Sequence, residues 1–214
     1  MSTVRHSMLT KWGLICVFMA RIVDRLGANS KAARSRGPAR RQKEGDVDHL
    51  KIRSGLEGDL PALTEIYNYY VRETAITFDI EPFTTQTRRP WFSHFNGEGP
   101  YRLIVAEKEG DLLGYANSHP LRAKAAYITS VETSIYLAPE AGGHGIGTAL
   151  YTALFDALRD EDVHRAYAGI TLPNAASLAL HRRFGFEPLG IYREVGRKFG
   201  RYWDVQWLEK AVND

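Results

Sequence analysis

Cysteine is almost missing from this chain: Cys16 is the only one in 214 residues. One thiol cannot close an internal disulfide or build a cysteine zinc cluster, and it fits a reducing, cytoplasmic setting. Long apolar runs are missing as well. The run WGLICVFMA, Trp12 to Ala20, is too short to span a membrane, so stable membrane insertion is not expected. With Lys11 before it, the run resembles a poor secretory signal that lacks a small-residue cleavage site. Strong charge of one sign is also absent. The net charge is +3, but residues 1–48 hold ten Lys/Arg against four Asp/Glu, and the remainder eighteen against twenty-one. A slightly acidic main portion excludes a basic nucleic-acid-binding domain.

Residues 1–48 therefore read as a basic extension, disordered in its Ala/Arg/Ser/Gly-rich part from 29 to 48. It is expected to be a dispensable tail or an over-extended start, with a targeting or membrane-surface role as the alternative. Residues 49–214 read as one globular domain. With 44% hydrophobic and 25% charged residues, the composition is ordinary for such a domain, and no internal repeat is found.

The most informative stretch of what is present is AGGHGIGTAL, Ala141 to Leu150. It follows the β-rich run Val131 to Leu137 and leads into a helical run from Thr148. A strand, a glycine loop and a helix start together can cradle a phosphate. Glycines let the backbone approach an anion, and a helix N-terminus offers free N–H groups. Taken alone, the stretch fits a tight turn equally well. No Lys-Ser/Thr pair follows, so it is not a P-loop, and GGHGIG does not match the dinucleotide fingerprint GxGxxG.

Periodicity and turn signals give an ordered series of elements. Strands are expected at Leu50–Arg53, Tyr101–Glu107, Leu112–Asn117, Ala126–Leu137, His164–Thr171, Phe186–Glu194 and Tyr202–Leu208. Helices are expected from Leu60, capped by Asp59, at Thr85–Phe95, from Thr148 with Leu150, Leu154 and Leu158 buried, and at Asn174–Phe184, stopped by Gly185. The result is an α/β protein with a mixed sheet of about seven strands flanked by about four helices.

Four stretches in this order carry a family resemblance: YNYYVRETAITF (Tyr67 to Phe78), VETSIYL (Val131 to Leu137), GGHGIG, and LPNAASLALHRRFGF (Leu172 to Phe186). GRKFGRYWDV near the end adds support. About three quarters of the chain resembles the GNAT-fold (acyl-CoA N-acyltransferase) family, within it the phosphinothricin and methionine-sulfoximine acetyltransferase group. The resemblance implies acetyl-CoA as co-substrate, a small amino-acid-like amine as acceptor, no metal, and a homodimer.

It also implies roles for particular residues. Strand alternation puts Glu132, Ser134 and Tyr136 on one face and Val131, Thr133, Ile135 and Leu137 on the other. Glu132 stands where the family has its base; a solvent-facing glutamate in a salt bridge is the alternative. Backbone groups of Ile135, Tyr136 and Leu137 would hold the pantetheine arm, with an N–H near Leu137 as oxyanion donor. Gly142, Gly143, His144, Gly145, Ile146, Gly147 and Thr148 would hold the pyrophosphate. Gly142 departs from the family, which carries Gln or Arg there. Asn174 and Ser177 would contact the CoA arm, although Asn174 is also a good helix cap. His181 would protonate the leaving thiolate or, alternatively, fill space. Arg122 and Lys124 would hold the acceptor's carboxylate, and Phe78 and Tyr127 would wall its pocket. A peptide N-acetyltransferase and a non-catalytic CoA-binding sensor remain rival readings.

Overall fold

The computed structural model describes residues 50–213. Cys16, the apolar run at 12–20 and the basic extension expected over 1–48 lie outside these. Seven strands form one sheet: β1 (Leu50–Ser54), β2 (Leu103–Lys108), β3 (Asp111–Pro120), β4 (Ser130–Leu137), β5 (Arg165–Thr171), β6 (Glu187–Lys198) and β7 (Arg201–Ala211). Their spatial order is β1-β2-β3-β4-β5-β7-β6. Only β4 and β5 run parallel; every other neighbouring pair is antiparallel. Among the described residues four α-helices flank the sheet: α1 (Leu60–Glu73), α2 (Thr85–Phe92), α3 (Ile146–Leu158) and α4 (Ala175–Arg183). This is the mixed seven-strand, four-helix α/β arrangement that the residue pattern implies.

The two faces of β4 sort the layers. On one face, Tyr136 meets the rings of Tyr67 and Tyr70 from α1. On the other, Thr133 faces Tyr151 of α3. The stripe Leu150, Leu154 and Leu158 is fully buried, as the helical spacing requires. Burying each such leucine contributes roughly 1.5–3 kcal/mol.

Several local expectations are corrected. The strand expected from Ala126 begins at Ser130, because Ala125–Tyr127 forms a short 3-10 turn in which Tyr127 N–H bonds Lys124 O and Ile128 N–H bonds Ala125 O. Those local bonds take the N–H groups a ladder would need. Asp59 does not cap α1 with its side chain. Its carboxylate instead holds Arg53 through two bonds of 2.7 and 2.8 Å, a stronger charge-assisted pairing that keeps Asp59 ionised below the usual carboxylate range. The last hairpin is longer than expected, and α2 ends at Phe92.

Candidate active site

The parallel pair β4 and β5 is joined at three positions only, Ser130–Arg165, Val131–Ala166 and Glu132–Tyr167. Beyond Glu132 both strands continue without pairing with each other, so a cleft opens in the middle of the sheet. Thr133, Ile135, Gly169, Asn174, Ser177 and His181 are among the residues lining it. On the far side of β4, Ala138 N–H bonds Leu113 O. Backbone groups alternate along a strand, so those of Leu137 and Ile135 point into the cleft. Leu137 demonstrates this. Its C=O accepts from the Tyr70 hydroxyl at 2.7 Å, and its N–H reaches the same oxygen at 3.3 Å. Burial raises the Tyr70 pKa, so the group is a neutral phenol.

Beyond the end of β4 the chain makes a 3-10 turn at Pro139–Ala141 and enters the glycine loop. Gly143 and Gly145 have φ of +82° and +79°, the left-handed region that glycine adopts without a steric penalty. Helix α3 starts at Ile146, two residues before the expected Thr148, with Gly145 as N-cap and no side chain capping it. The N–H groups of Ile146, Gly147 and Thr148 in this first turn therefore have no intrahelical acceptor. Gly142 is extended at φ −68°, is exposed, and has nothing within 4 Å of where a Cβ would stand. His144 is exposed as well. The arrangement suits a polyanion held by backbone.

Glu132 is half-buried and lies opposite His119 of β3 in the register. Burial raises its pKa, and the nearby His119 and Arg122 oppose part of that rise. A carboxylate shifted upward in this way is a stronger proton acceptor than a free one.

His181 is 3% exposed. Its Nδ1 lies 2.8 Å from Ser177 O, and its Nε2 2.8 Å from the Tyr151 hydroxyl. A ring nitrogen facing a carbonyl must carry the proton, so Nε2 accepts from Tyr151. Burial lowers its pKa, which keeps the ring neutral. Both nitrogens are thus committed inside the protein. Asn174 caps α4, its Oδ1 accepting from Ser177 N–H at 3.1 Å, while the residue also lines the cleft.

The acceptor-side expectations fare unevenly. Arg122 lines a groove with Leu121, Tyr167 and Trp207, beside Glu132. Lys124 and Tyr127 are exposed on the loop and line neither this groove nor the cleft. Phe78 does not wall the cleft either. It packs against Gly196 of β6, where a Cβ would stand 2.2 Å from the phenyl ring.

With this geometry in place, comparison with known proteins decides the family. The description of the Acetyltransferase (GNAT) family matches residues 63–186. The chain belongs to the GNAT acetyltransferase family. A phosphinothricin N-acetyltransferase of Streptomyces coelicolor is 62% identical over 165 residues, 76% of this chain and 96% of that protein. An L-methionine sulfoximine/L-methionine sulfone acetyltransferase of Pseudomonas aeruginosa is 35% identical over 158 residues, 74% of this chain and 92% of its own. A solved GNAT-superfamily phosphinothricin acetyltransferase of Sinorhizobium meliloti, in complex with acetyl-CoA, superposes with a TM-score of 0.71 at 34% identity, covering 77% of this chain and 89% of that one. The protein is an N-acetyltransferase.

Sequence reasoning did not single out three side chains that the structure places at the cleft edge, behind its wall or on the α1 face of β4. Tyr70 on α1 reaches the cleft edge of β4. Tyr151 on α3 donates to His181 and lies 3.5 Å from Thr133. Arg88 on α2 is 5% exposed, yet charged. Only Arg88 left a local signal: it stands three positions before Trp91, one helical neighbour away, on the face that turns inward.

Proposed function

We propose that this GNAT enzyme transfers an acetyl group from acetyl-CoA to the α-amine of a small amino-acid-like acceptor, of the phosphinothricin or methionine sulfoximine type. The observation that carries the reading is the juxtaposition of Glu132, at the last paired position of β4 and β5, with the cleft that opens directly beyond it. The donor set supports the co-substrate. Uncapped first-turn N–H groups of α3 and the open backbone of Gly142 to Gly145 suit a pyrophosphate. The cleft edge at Ile135 and Leu137, where β4 has no partner strand and only the Tyr70 hydroxyl meets Leu137, suits with Asn174 and Ser177 an amide-bearing arm that adds itself as a strand.

Acetyl-CoA supplies the acyl group when bound. The chain's residues do the rest. Arg122 holds the acceptor's carboxylate. The Glu132 carboxylate takes one proton from the acceptor's ammonium, directly or through a water, and frees the lone pair that attacks the thioester carbon; as the carbon–sulfur bond breaks, the nitrogen's second proton ends on the leaving thiolate, giving amide and free thiol. Leu137 N–H donates to the carbonyl oxygen as negative charge develops there, with Tyr70 Oη satisfying it until then. Tyr136 contributes its place in the β4 backbone. We assign His181 a positioning role, because its hydrogen bonds tie α4 to α3 at the cleft wall. The protein acts in the cytoplasm as a homodimer on this reading. Among the described residues no helix is long and apolar enough to cross a membrane.

The test is acetyl-CoA turnover, followed by release of free thiol, on a panel of amino acids, sulfoximines and an N-terminal peptide. Turnover on small amino acids supports the reading. Turnover confined to the peptide, or CoA binding with no turnover on any amine, overturns it.

A further inference from the structure

The face of β4 that carries Glu132 also walls an open cavity of about 290 Å³, lined further by β3, α1, α2 and the segment between the two helices. Its wall holds an unusual cation. Arg88 is 5% exposed, and among the described residues no carboxylate forms an ion pair with it. Aromatic rings hold it instead. The guanidinium carbon lies 3.7 Å from the Tyr67 ring centroid, 4.2 Å from Trp91 and 5.2 Å from Phe83. Nη2 donates to the Tyr115 hydroxyl at 3.3 Å, while Nε is buried with no partner. Asp79 shares the cavity, but one of its oxygens accepts from the Tyr67 hydroxyl.

Caging by rings offsets part of the cost of taking a guanidinium out of water, and a purely structural arginine could rest there. A second orphan on the same wall argues for more. Asn117 is 2% exposed, and its Oδ1 is buried without a donor. Buried polar groups are rarely left unpaired, and two at one cavity mark a place where a ligand completes the bonding. One orphan lacks an acceptor and the other lacks a donor. Ser134, also on the wall, is two residues from Glu132 on the same strand face, roughly 7 Å away.

Building on the acceptor assigned above, we propose that this cavity receives the acceptor's side-chain end, with Arg88 donating to an oxygen and Asn117 accepting from an N–H or O–H on the same centre. The class of tail that satisfies both at neutral pH is a sulfoximine or a primary carboxamide, whereas an ionised phosphinate offers acceptors only and satisfies Arg88 alone. A two-carbon arm carries such a tail from the amine at Glu132 into the cavity. Arg122, Glu132 and Arg88 then read the acceptor in sequence: carboxylate, amine, tail.

The test compares acceptors that share the α-amino-acid head and differ only in tail: methionine sulfoximine and glutamine against methionine and norleucine. The ratio of kcat/KM values is expected to favour polar tails by roughly 10- to 100-fold, the worth of one or two charge-assisted bonds. Arg88→Met and Asn117→Leu should each pull the ratio toward one. Calorimetric titration with methionine sulfoximine and with methionine, in the absence of acetyl-CoA, should show the same preference. A wild-type ratio near one, or a preference that survives both substitutions, overturns the assignment. Should Arg88→Met fail to fold, Asn117→Leu and the wild-type series decide it. Failure of the underlying reading has a different signature, which is that no amino acid is acetylated at all.

Discussion

The two faces of β4 treat their polar groups in opposite ways. On the α3 side each polar group is partnered: Thr133 donates to Tyr167 O, Tyr151 to His181, and His181 to Ser177 O, which locks the histidine in one tautomer. On the α1 side, Glu132 is half-buried with a raised pKa, and Arg88 and Asn117 each keep an orphaned polar atom. Buried groups that satisfy one another specify a fold; buried groups left wanting are available to a ligand. The difference separates two residues that look alike as catalysts on paper. His181 belongs to the closed network and Glu132 to the open one.

Glu132→Gln should break the open side hardest. Removing a general base costs about 10²- to 10⁴-fold in kcat/KM. In the wild type the rate should rise with pH through the elevated Glu132 pKa, since only the carboxylate accepts the proton. The variant should lose that rising limb while its thermal unfolding stays close to wild type. Steady-state kinetics across pH, with the melting curve beside them, check both halves.

His181→Leu should show the reverse pattern. The Tyr151 hydroxyl would lose its 2.8 Å acceptor and keep only the 3.5 Å contact with Thr133, and Ser177 O would lose its donor, at a cost of about 1–3 kcal/mol in stability. Activity per folded molecule should change far less than in Glu132→Gln. A pH signature sharpens the contrast. The folded state holds the His181 pKa below its ordinary 6.5, so the unfolded chain takes up a proton that the native state refuses. Stability should therefore be intact above about pH 6.5 and fall as pH drops toward the depressed pKa. That component of the slope should vanish in the variant, as denaturant melts at pH 7 and pH 5 would reveal.

What the amino-acid sequence discloses follows the same division. Local devices were legible: the glycine loop, the Asn174 cap, the leucine stripe of α3, and the alternation that puts Glu132 and Thr133 on opposite faces. Each depends on residues within a turn or two of one another. Contacts between distant segments were not legible. Nothing in YNYYV says that Tyr70 will reach the backbone of Leu137, and nothing in the α3 stripe says that Tyr151 will claim His181. Asp59 was misread because its nearest helix N–H groups lost to a guanidinium on β1. Phe78 was misread because the site it fills is created by Gly196, over a hundred residues away.

The glycine loop offers a smaller test of the open set. Gly142 needs no glycine: its φ is −68° and the space beside it is empty. Gly142→Arg should fold normally and add a charged donor beside the expected pyrophosphate. An effect of about 1 kcal/mol, near five-fold tighter binding, is the size expected for an exposed charge at a helix N-terminus. It should weaken with added salt. Gly145→Arg is the control, because φ of +79° makes a side chain there strained. Titration calorimetry with CoA at two salt concentrations measures the gain, and equal affinity of Gly142→Arg and wild type at low salt would remove the loop from the binding site.

The smallest effect is expected where the two sets meet. Tyr70 is partnered, but with the Leu137 groups that the cleft exposes. Tyr70→Phe deletes a hydroxyl without creating an enclosed orphan, since the freed N–H and C=O face the cleft and can be solvated. The loss of stability should therefore lie near the low end for one hydrogen bond, about 0.5 kcal/mol. Acetyl-CoA should bind slightly more tightly to the variant, because no internal bond has to be exchanged for the incoming carbonyl. A KM for acetyl-CoA that falls while kcat holds would place Tyr70 as an occupant of the donor site. A kcat that falls by tenfold or more would instead make its hydroxyl part of the chemistry and move it to the open side of the comparison.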